Sequence, residues 1–183
     1  MLGLAVREVT AQGGQVIAIG PPQPPHLAGL RHIGIDERRF VWIQADRPAE
    51  RLWVTEQVIR AGTGGAIVSW LPHARPEQLR RLQIASQSGD GLIVVCCSQA
   101  AQREASAAPL HVLATLDLDW ALQVRILKRR GPLHDAPITL PSIPGGPSAI
   151  VTPRVSHPSR LFNRNAGHVV GSPARESRRV TAV

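Results

Sequence analysis

The chain has 183 residues, of which 43% are apolar, so it is long enough to bury one ordinary hydrophobic core. The formal net charge is +8, but nine of the 21 basic and only two of the 13 acidic residues lie from Lys128 onward. The preceding part is nearly neutral, with 12 basic and 11 acidic residues. No window approaches the roughly 20 apolar residues that span a bilayer, and the first residues lack the basic start of a secretion signal. We therefore expect a soluble cytoplasmic protein without a membrane partner.

The chain alternates between helix and strand patterns as far as Cys97. Helices are predicted at Leu2–Gln12, at His26–Ile33, after a cap at Asp46 and at Pro76–Ser88, and strands at Gln15–Gly20, Phe40–Gln44, Gly65–Trp70 and Leu92–Cys97. Such alternation is typical of an α/β fold with a mainly parallel sheet and helices on its faces. Ligands of these sheets bind beyond the carboxyl ends of the strands, where Trp70 stands.

The pattern changes beyond this point. Leu110–Leu116 and Trp120–Lys128 predict an antiparallel hairpin, because Asp117 and Asp119 are typical turn residues. From Pro141 to Val183 the sequence is rich in Pro, Ser, Gly and Arg without apolar periodicity, which predicts a disordered basic tail after a domain at residues 1–140. The tail either attracts nucleic acid weakly or stays solvated, and both alternatives remain open.

Several blocks of the sequence resemble one family. They read RPAERLWVTEQVIRAGTGGAIVSWLP, ARPEQLRRLQIASQSGDGLIVV and VRILKRRGP. From about Met1 to Pro132 the chain resembles the ImuA family of bacterial accessory proteins for translesion DNA synthesis, which are diverged relatives of RecA. The resemblance implies a truncated RecA-like core, shortened before the strand that carries the phosphate loop in longer members, either natively or through a misplaced start.

The chemical groups that RecA relatives use on triphosphate are absent from the matching positions. A phosphate loop needs a Lys followed by Ser or Thr, but the only lysine, Lys128, is followed by Arg129. Proline and glutamine follow the first strand where the catalytic glutamate is expected, and Ser69 and Trp70 end the strand that should end in a carboxylate. We therefore predict a non-enzymatic protein with no catalytic residue, cofactor or bound metal.

The resemblance instead implies partner binding. The candidate partner-binding residues are Arg75, Arg80, Arg81, Lys128, Arg129, Arg130 and Trp70. Lys128 and Arg130 match the two RecA positions that reach across a subunit interface. The predicted role is an adaptor of SOS-induced translesion synthesis that contacts an ImuB-like polymerase homologue and also RecA. The alternative is a division inhibitor like SulA, which shares a strand ending in Trp-Leu and would bind FtsZ.

Cysteine, histidine and tryptophan are the remaining residue types with a candidate functional role. Cys96 and Cys97 are neighbours on an apolar strand, so they should point to opposite faces as small buried side chains. The seven histidines show no metal-binding spacing. Burial in one core is expected for most of the tryptophans, with Trp70 alternatively covering the vacated nucleotide site or anchoring a partner. The four tryptophans of the chain are Trp42, Trp53, Trp70 and Trp120.

Overall fold

The structure is a computed structural model that describes residues 2–62, 65–117, 121–132, 134, 136–141 and 179–182. The helices are α1 (Gly3–Ala11), α2 (Leu27–His32), α3 (Pro48–Ala61) and α4 (Pro76–Ser86). The strands are β1 (Val16–Ile19), β2 (Phe40–Ile43), β3 (Ala66–Trp70), β4 (Leu92–Cys96), β5 (Leu110–Leu116), β6 (Ala121–Lys128), β7 (Ile138–Pro141) and β8 (Arg179–Ala182). In the described part of the chain, no helix is long and apolar enough to cross a membrane.

The strands form one sheet in the order β2-β1-β3-β4-β8-β5-β6-β7. The first four strands are parallel to one another, and β5, β6 and β7 are antiparallel neighbours. This confirms the predicted α/β fold with a mainly parallel sheet and a C-terminal antiparallel hairpin, to which β7 adds a third strand. Residues 118–120, in the predicted turn and at the predicted start of β6, lie outside the described residues.

The last strand joins the two halves of the sheet. β8 pairs antiparallel with β4 through Val94 and Val95 and with β5 from Leu110 to Leu113. The prediction of a disordered tail is wrong for these four residues and for Pro141, which ends β7, since backbone hydrogen bonds to neighbouring strands can hold a short strand that has no apolar periodicity. Residues 142–178 and 183 of the predicted tail lie outside the described residues.

One side of the parallel strands carries the larger core. Successive side chains of a strand alternate between the faces, and Ile17, Ile67 and Ile93 point to the same side as α3 and α4. They pack against Ile59 of α3 and Leu82 of α4. Burying these branched side chains is the main source of stability at about 25 cal/mol for each Å² of apolar surface.

The opposite side is covered by shorter helices. Val16 and Ala66 pack against Val6 of α1 and Ile35, which follows α2. Further towards the carboxyl ends, Val68, Val94 and Cys96 form a separate cluster, with Leu2, Trp70 and Leu92 packed on it. The two sides of the sheet therefore differ in how completely helices cover them.

Local sequence explains where α3 lies. Pro48 occupies its first turn, where the missing N–H costs no hydrogen bond, and Gly62 ends it with a left-handed φ of 64°. The residue before the helix is Arg47, whose side chain makes no capping hydrogen bond. The predicted cap at Asp46 is therefore wrong by one residue, because Pro48 fixes the first helical position.

Candidate partner-binding surfaces

The carboxyl end of β3 holds a buried pair of hydroxyl groups. The Oγ of Ser69 lies 2.6 Å from the Oγ1 of Thr55, and both residues are fully buried. The Thr55 hydroxyl donates to the carbonyl oxygen of Arg51 at 2.6 Å, so the Ser69 hydroxyl is left to donate to Thr55. Ser69 thus joins α3 to the sheet, and its hydroxyl is not presented to a ligand.

A cavity of about 390 Å³ opens beside these strand ends, between the first turns of α3 and α4. Its lining is mostly apolar and includes Arg51, His73 and Arg75 but no carboxylate. The Nε of Arg51 donates to the carbonyl oxygen of Ala45 at 2.5 Å. Carboxylates are the groups that hold Mg²⁺ for triphosphate hydrolysis, so this lining does not match that chemistry.

The outer side of α3 and α4 carries a buried carboxylate between two arginines. Glu56 of α3 is 6% exposed, and its side chain forms ion pairs with Arg60 of the same helix, at 2.9 Å, and with Arg81 of α4. Both arginine side chains are more than half exposed. The carboxylate neutralises charge at the helix contact, and the guanidinium groups still face solvent.

Two large apolar side chains flank this ion pair. Trp53 lies one helical turn before Glu56, Ile84 lies one turn after Arg81, and each is 60% exposed. Arg80, four residues before Ile84, is also exposed. We call this set, Trp53, Arg60, Arg80, Arg81 and Ile84, the α3/α4 surface. Exposed Trp and Arg side chains are the types most enriched among the residues that dominate protein–protein binding energies.

The predicted partner-binding residues on α4 lie in different environments. Arg80 belongs to the α3/α4 surface and is exposed as expected. Arg81 lies beside it but is held by Glu56, so part of its role is to join the two helices. Arg75 precedes α4 and lines the cavity, and its backbone N–H donates to the Oε1 of Gln78 at 2.9 Å.

The remaining predicted residues lie elsewhere. Trp70 is half-buried on the side of the sheet opposite α4, against Val68, Val94 and Cys96. Lys128, Arg129 and Arg130 are exposed at the end of β6, where the Nζ of Lys128 donates to the carbonyl oxygen of Ser106 at 2.6 Å. The structure therefore does not bring the seven predicted residues together, and they fall on four separate regions: the α3/α4 surface, the cavity, the cluster around Trp70 and the end of β6.

The tryptophans differ from the expectation of a shared core. Trp53 is 60% exposed and Trp42 is 45% exposed, so that expectation is wrong for both, whereas Trp120 lies outside the described residues. The sequence indicates that Trp53 is exposed, because its neighbours at helical spacing are small or polar. These neighbours are Ala49, Gln57 and Arg60. Trp42 lies on β2, an edge strand, where a side chain has a neighbouring strand on one side only.

The two cysteines confirm the prediction of opposite faces. Cys96 packs in the cluster on the α1 side of the sheet, and Cys97 packs in the core beneath α3 and α4. Burial, with a smaller contribution from Cys97, raises the pKa of the Cys96 thiol to about 12. A thiol with such a pKa is a poor nucleophile near neutral pH. No group of three or more potential metal ligands converges among the residues that the structure describes.

Neither a protein-family model nor a curated protein matches this chain. Among solved structures, the chain is similar to SulA from Pseudomonas aeruginosa, with 24% sequence identity and a TM-score of 0.45. The match covers 53% of this chain and 84% of that protein. We derive no function from a likeness at this level.

Proposed function

We propose that this protein is a non-enzymatic adaptor of SOS-induced translesion DNA synthesis, which binds an ImuB-like polymerase homologue and, as a second partner, RecA. The ImuA-like blocks of the sequence supply the biological setting of this proposal. They fall on α3, β3, α4, β4 and β6, which include three strands of the sheet and both helices of the α3/α4 surface. The proposed role needs a rigid surface and no reactive group.

The observation that carries the proposal is the α3/α4 surface. A Trp and an Ile on neighbouring helices are each 60% exposed, and three arginines lie beside them. Exposed apolar surface rimmed by polar residues is typical of protein interaction sites. An apolar centre with a charged rim is the usual anatomy of a protein interface. We expect the partner to present carboxylates to these arginines.

The strand ends support a role without hydrolysis. Where a carboxylate would hold the metal ion, the chain has the buried Ser69, bound to Thr55, and the half-buried Trp70. The neighbouring cavity has arginine and histidine but no acid in its lining. These residues favour an adaptor over a nucleotide hydrolase.

The second candidate is a SulA-like division inhibitor that binds FtsZ. The observation in its favour is local: β3 ends in Trp70, Leu71 follows, and α4 then leads into β4 just after Gly91. This is the pattern through which the sequence resembles SulA. The AERLW and ILKRRGP blocks favour the adaptor.

Co-purification of the tagged full-length protein from DNA-damaged host cells tests both candidates. We expect recovery of the ImuB-like polymerase homologue, identified by mass spectrometry, and loss of that recovery in a Trp53→Ala/Ile84→Ala variant. The matched control is Leu4→Ala/Leu27→Ala, which removes two side chains that are 69% and 53% exposed on α1 and α2. Recovery of FtsZ without the polymerase homologue would favour the inhibitor, and ATP turnover above background would contradict both.

A further inference from the structure

The cavity between the first turns of α3 and α4 lies where the strand order of the sheet reverses. The chain leaves β1 through α2, on one side of the sheet, to reach β2, and it passes through α3, on the other side, to reach β3. The strand order therefore reverses between β1 and β3. Ligands of open α/β sheets bind in the crevice beyond the carboxyl ends of the strands at such a point. The position of the cavity therefore favours a ligand site.

The residues that directly follow β1 and β3 connect the cavity to the strand ends. Leu71 follows β3, is 4% exposed and forms part of the lining. Gly20 follows β1 with a left-handed φ of 57°, and a Cβ atom added to it would lie 2.6 Å from the Nε of Arg51. Arg51 is thus held over the end of β1, where its Nε also donates to the carbonyl oxygen of Ala45. Among the described residues, its two terminal nitrogens have no ion pair and are left for a ligand.

The ionisable side chains of the lining are all of basic types. They belong to Arg51, His73 and Arg75. Glu50 and Glu77 are next to lining residues in the sequence, but both are exposed and neither lines the cavity. Arginine binds carboxylate and phosphate groups through paired, charge-assisted N–H donors. The charge of the lining therefore favours an anionic group.

The rest of the lining is mostly apolar, so charge is only part of its chemistry. The cavity volume of about 390 Å³ lies within the range of roughly 300–1,000 Å³ that is usual for small-molecule sites. A simple inorganic ion would leave the apolar walls uncovered, which favours a ligand that carries an apolar group beside its charge. The apolar residues of the lining are Pro48, Ala49, Leu52, Leu71, Pro72 and Ala74.

We propose that this cavity binds a small organic anion, in which a carboxylate or phosphate group is attached to an apolar group. The anionic group pairs with Arg51 and Arg75, and the apolar group contacts Leu52 and Leu71. A free small molecule and the carboxyl terminus of a protein chain can both present this chemistry. The site goes beyond the proposed adaptor function and does not depend on it, because all of its residues belong to this chain.

Titration of the full-length protein with phenylacetate and with phenyl phosphate, followed by NMR spectroscopy of the backbone N–H groups, tests the proposal. Each probe combines an anionic group with an apolar ring. Acetate lacks the ring and benzyl alcohol lacks the charge, so they are the matched controls. We expect at least one of the two anionic probes to shift the signals of Ala49, Leu52 and Arg75. Both controls should bind at least about ten times more weakly than that probe, because charge and apolar contact are both needed.

Variants of the protein locate the binding site. Arg75→Ala should weaken the binding of the anionic probe about tenfold or more, because a charge-assisted pair is lost. Ala49→Trp should abolish binding, since it fills the cavity without a change of charge, and Ala49 is exposed in the first turn of α3. This variant also keeps the proposal testable if circular dichroism shows that Arg75→Ala does not fold. Arg38→Ala is the control, because it removes an exposed arginine at the amino end of β2 and should leave the affinity unchanged.

A pair of short peptides that end in leucine, one with a free carboxyl terminus and one amidated, distinguishes the two sources of the anion. Tighter binding of the free-acid peptide than of phenylacetate, without binding of the amide, would support the proposal and assign a protein terminus. Weaker binding of that peptide would support it and assign a small molecule.

Three outcomes would overturn the proposal. One is the absence of shifts with both anionic probes, and another is equal binding of acetate or benzyl alcohol, which would mean an adventitious ion or a purely apolar contact. The third is equal weakening by Arg38→Ala and Arg75→Ala. Failure of the adaptor function would leave these results unchanged, since it would appear as no recovery of the polymerase homologue.

Discussion

The parallel and antiparallel halves of the sheet use apolar side chains in different ways. In the parallel half, β1 to β4 have helices on both sides, and Ile19, Leu82 and Val95 are fully buried. In the antiparallel half, the same kinds of side chain form a face that ends in the exposed Leu116. Apolar sequence stabilises the fold in both halves, but in the second half its burial decreases from Val112 and Val124, which are 7% and 5% exposed, to Leu116, which is 61% exposed.

The boundary between the halves is a single strand. β4 and β5 are consecutive strands in the described part of the chain, yet each pairs with β8 and not with the other. Because β8 comes from the end of the sequence, the continuity of the sheet depends on a contact between distant residues. The two halves should therefore respond differently to substitution, and the following predictions run from the largest expected effect to the smallest.

Gly65→Ala should be the most destabilising change in the parallel half. A Cβ atom at Gly65 would lie 1.9 Å from the carbonyl oxygen of Gln15, so the start of β3 would have to move away from β1. We expect a loss of about 4 kcal/mol or more in the free energy of unfolding, measured with urea. Gly89→Ala is the control, since nothing lies within 4 Å of its added atom, and an equal loss there would contradict the prediction.

Leu82→Ala and Leu116→Ala compare the two halves directly. Leu82 is fully buried between α4 and the sheet, so its truncation should cost about 3 kcal/mol of unfolding free energy. Leu116 is 61% exposed, so the same truncation should cost about 0.5 kcal/mol or less. Urea denaturation measures both, and similar losses in the two variants would mean that the antiparallel half is as tightly packed as the parallel half.

The pH dependence of stability should report on Cys96. Its pKa in the folded protein is about 12, compared with an ordinary value of 9.0, so the folded state holds the proton that the unfolded state releases. This contribution to stability is complete below pH 9 and is lost as the pH rises towards 12. We expect a decrease of about 1.4 kcal/mol in unfolding free energy for each pH unit above 9.

The chain offers a favourable background for this measurement. It has no tyrosine and a single lysine, so few other groups titrate in the alkaline range. Cys96→Ala should flatten the dependence measured by urea denaturation as the pH rises from 9 towards 12, the ordinary and shifted pKa values of this thiol. An unchanged slope in this variant would assign the alkaline instability to another group.

Arg81→Ala and Arg80→Ala should separate a structural from a recognition role on the α3/α4 surface. Arg81 pairs with the buried Glu56, so its loss should cost about 1 kcal/mol of unfolding free energy, with a smaller loss in high salt. Arg80 is exposed without such a pair among the described ion pairs, so its loss should leave stability unchanged and weaken partner recovery. Thermal denaturation of both variants in low and high salt checks this difference.

Local sequence patterns were enough to predict most of the elements. Proline and glycine limit α3, and runs of branched side chains mark β3 and β4, so these elements lie within a residue or two of the prediction. β7 and β8 were missed because ITLP and RVTA contain no continuous apolar run, unlike the equally short β1 and β2, whose residues are all apolar. Such strands depend on a neighbour that is distant in sequence.

The candidate surfaces were predictable only in part. Arg80 was placed correctly on an exposed helix face, but Trp53 was assigned to the core because hydrophobicity alone does not show which helix stripe is covered. Arg81 was predicted as a partner contact, and the structure adds an ion pair with Glu56 of another helix. The sequence had no local sign of that ion pair, since the two residues are 25 positions apart.

By itself the sequence determined the alternation of strands and helices, the opposite faces of Cys96 and Cys97, and the lack of acidic residues after β1 and β3. These depend on neighbouring residues and on strict geometric periods. Tertiary structure alone decided the position of β8, the pairing of Glu56 with Arg81 and the exposure of Trp53 and Leu116. The physical reason is that burial and pairing depend on which distant segment packs against a side chain, and a local pattern does not specify that segment.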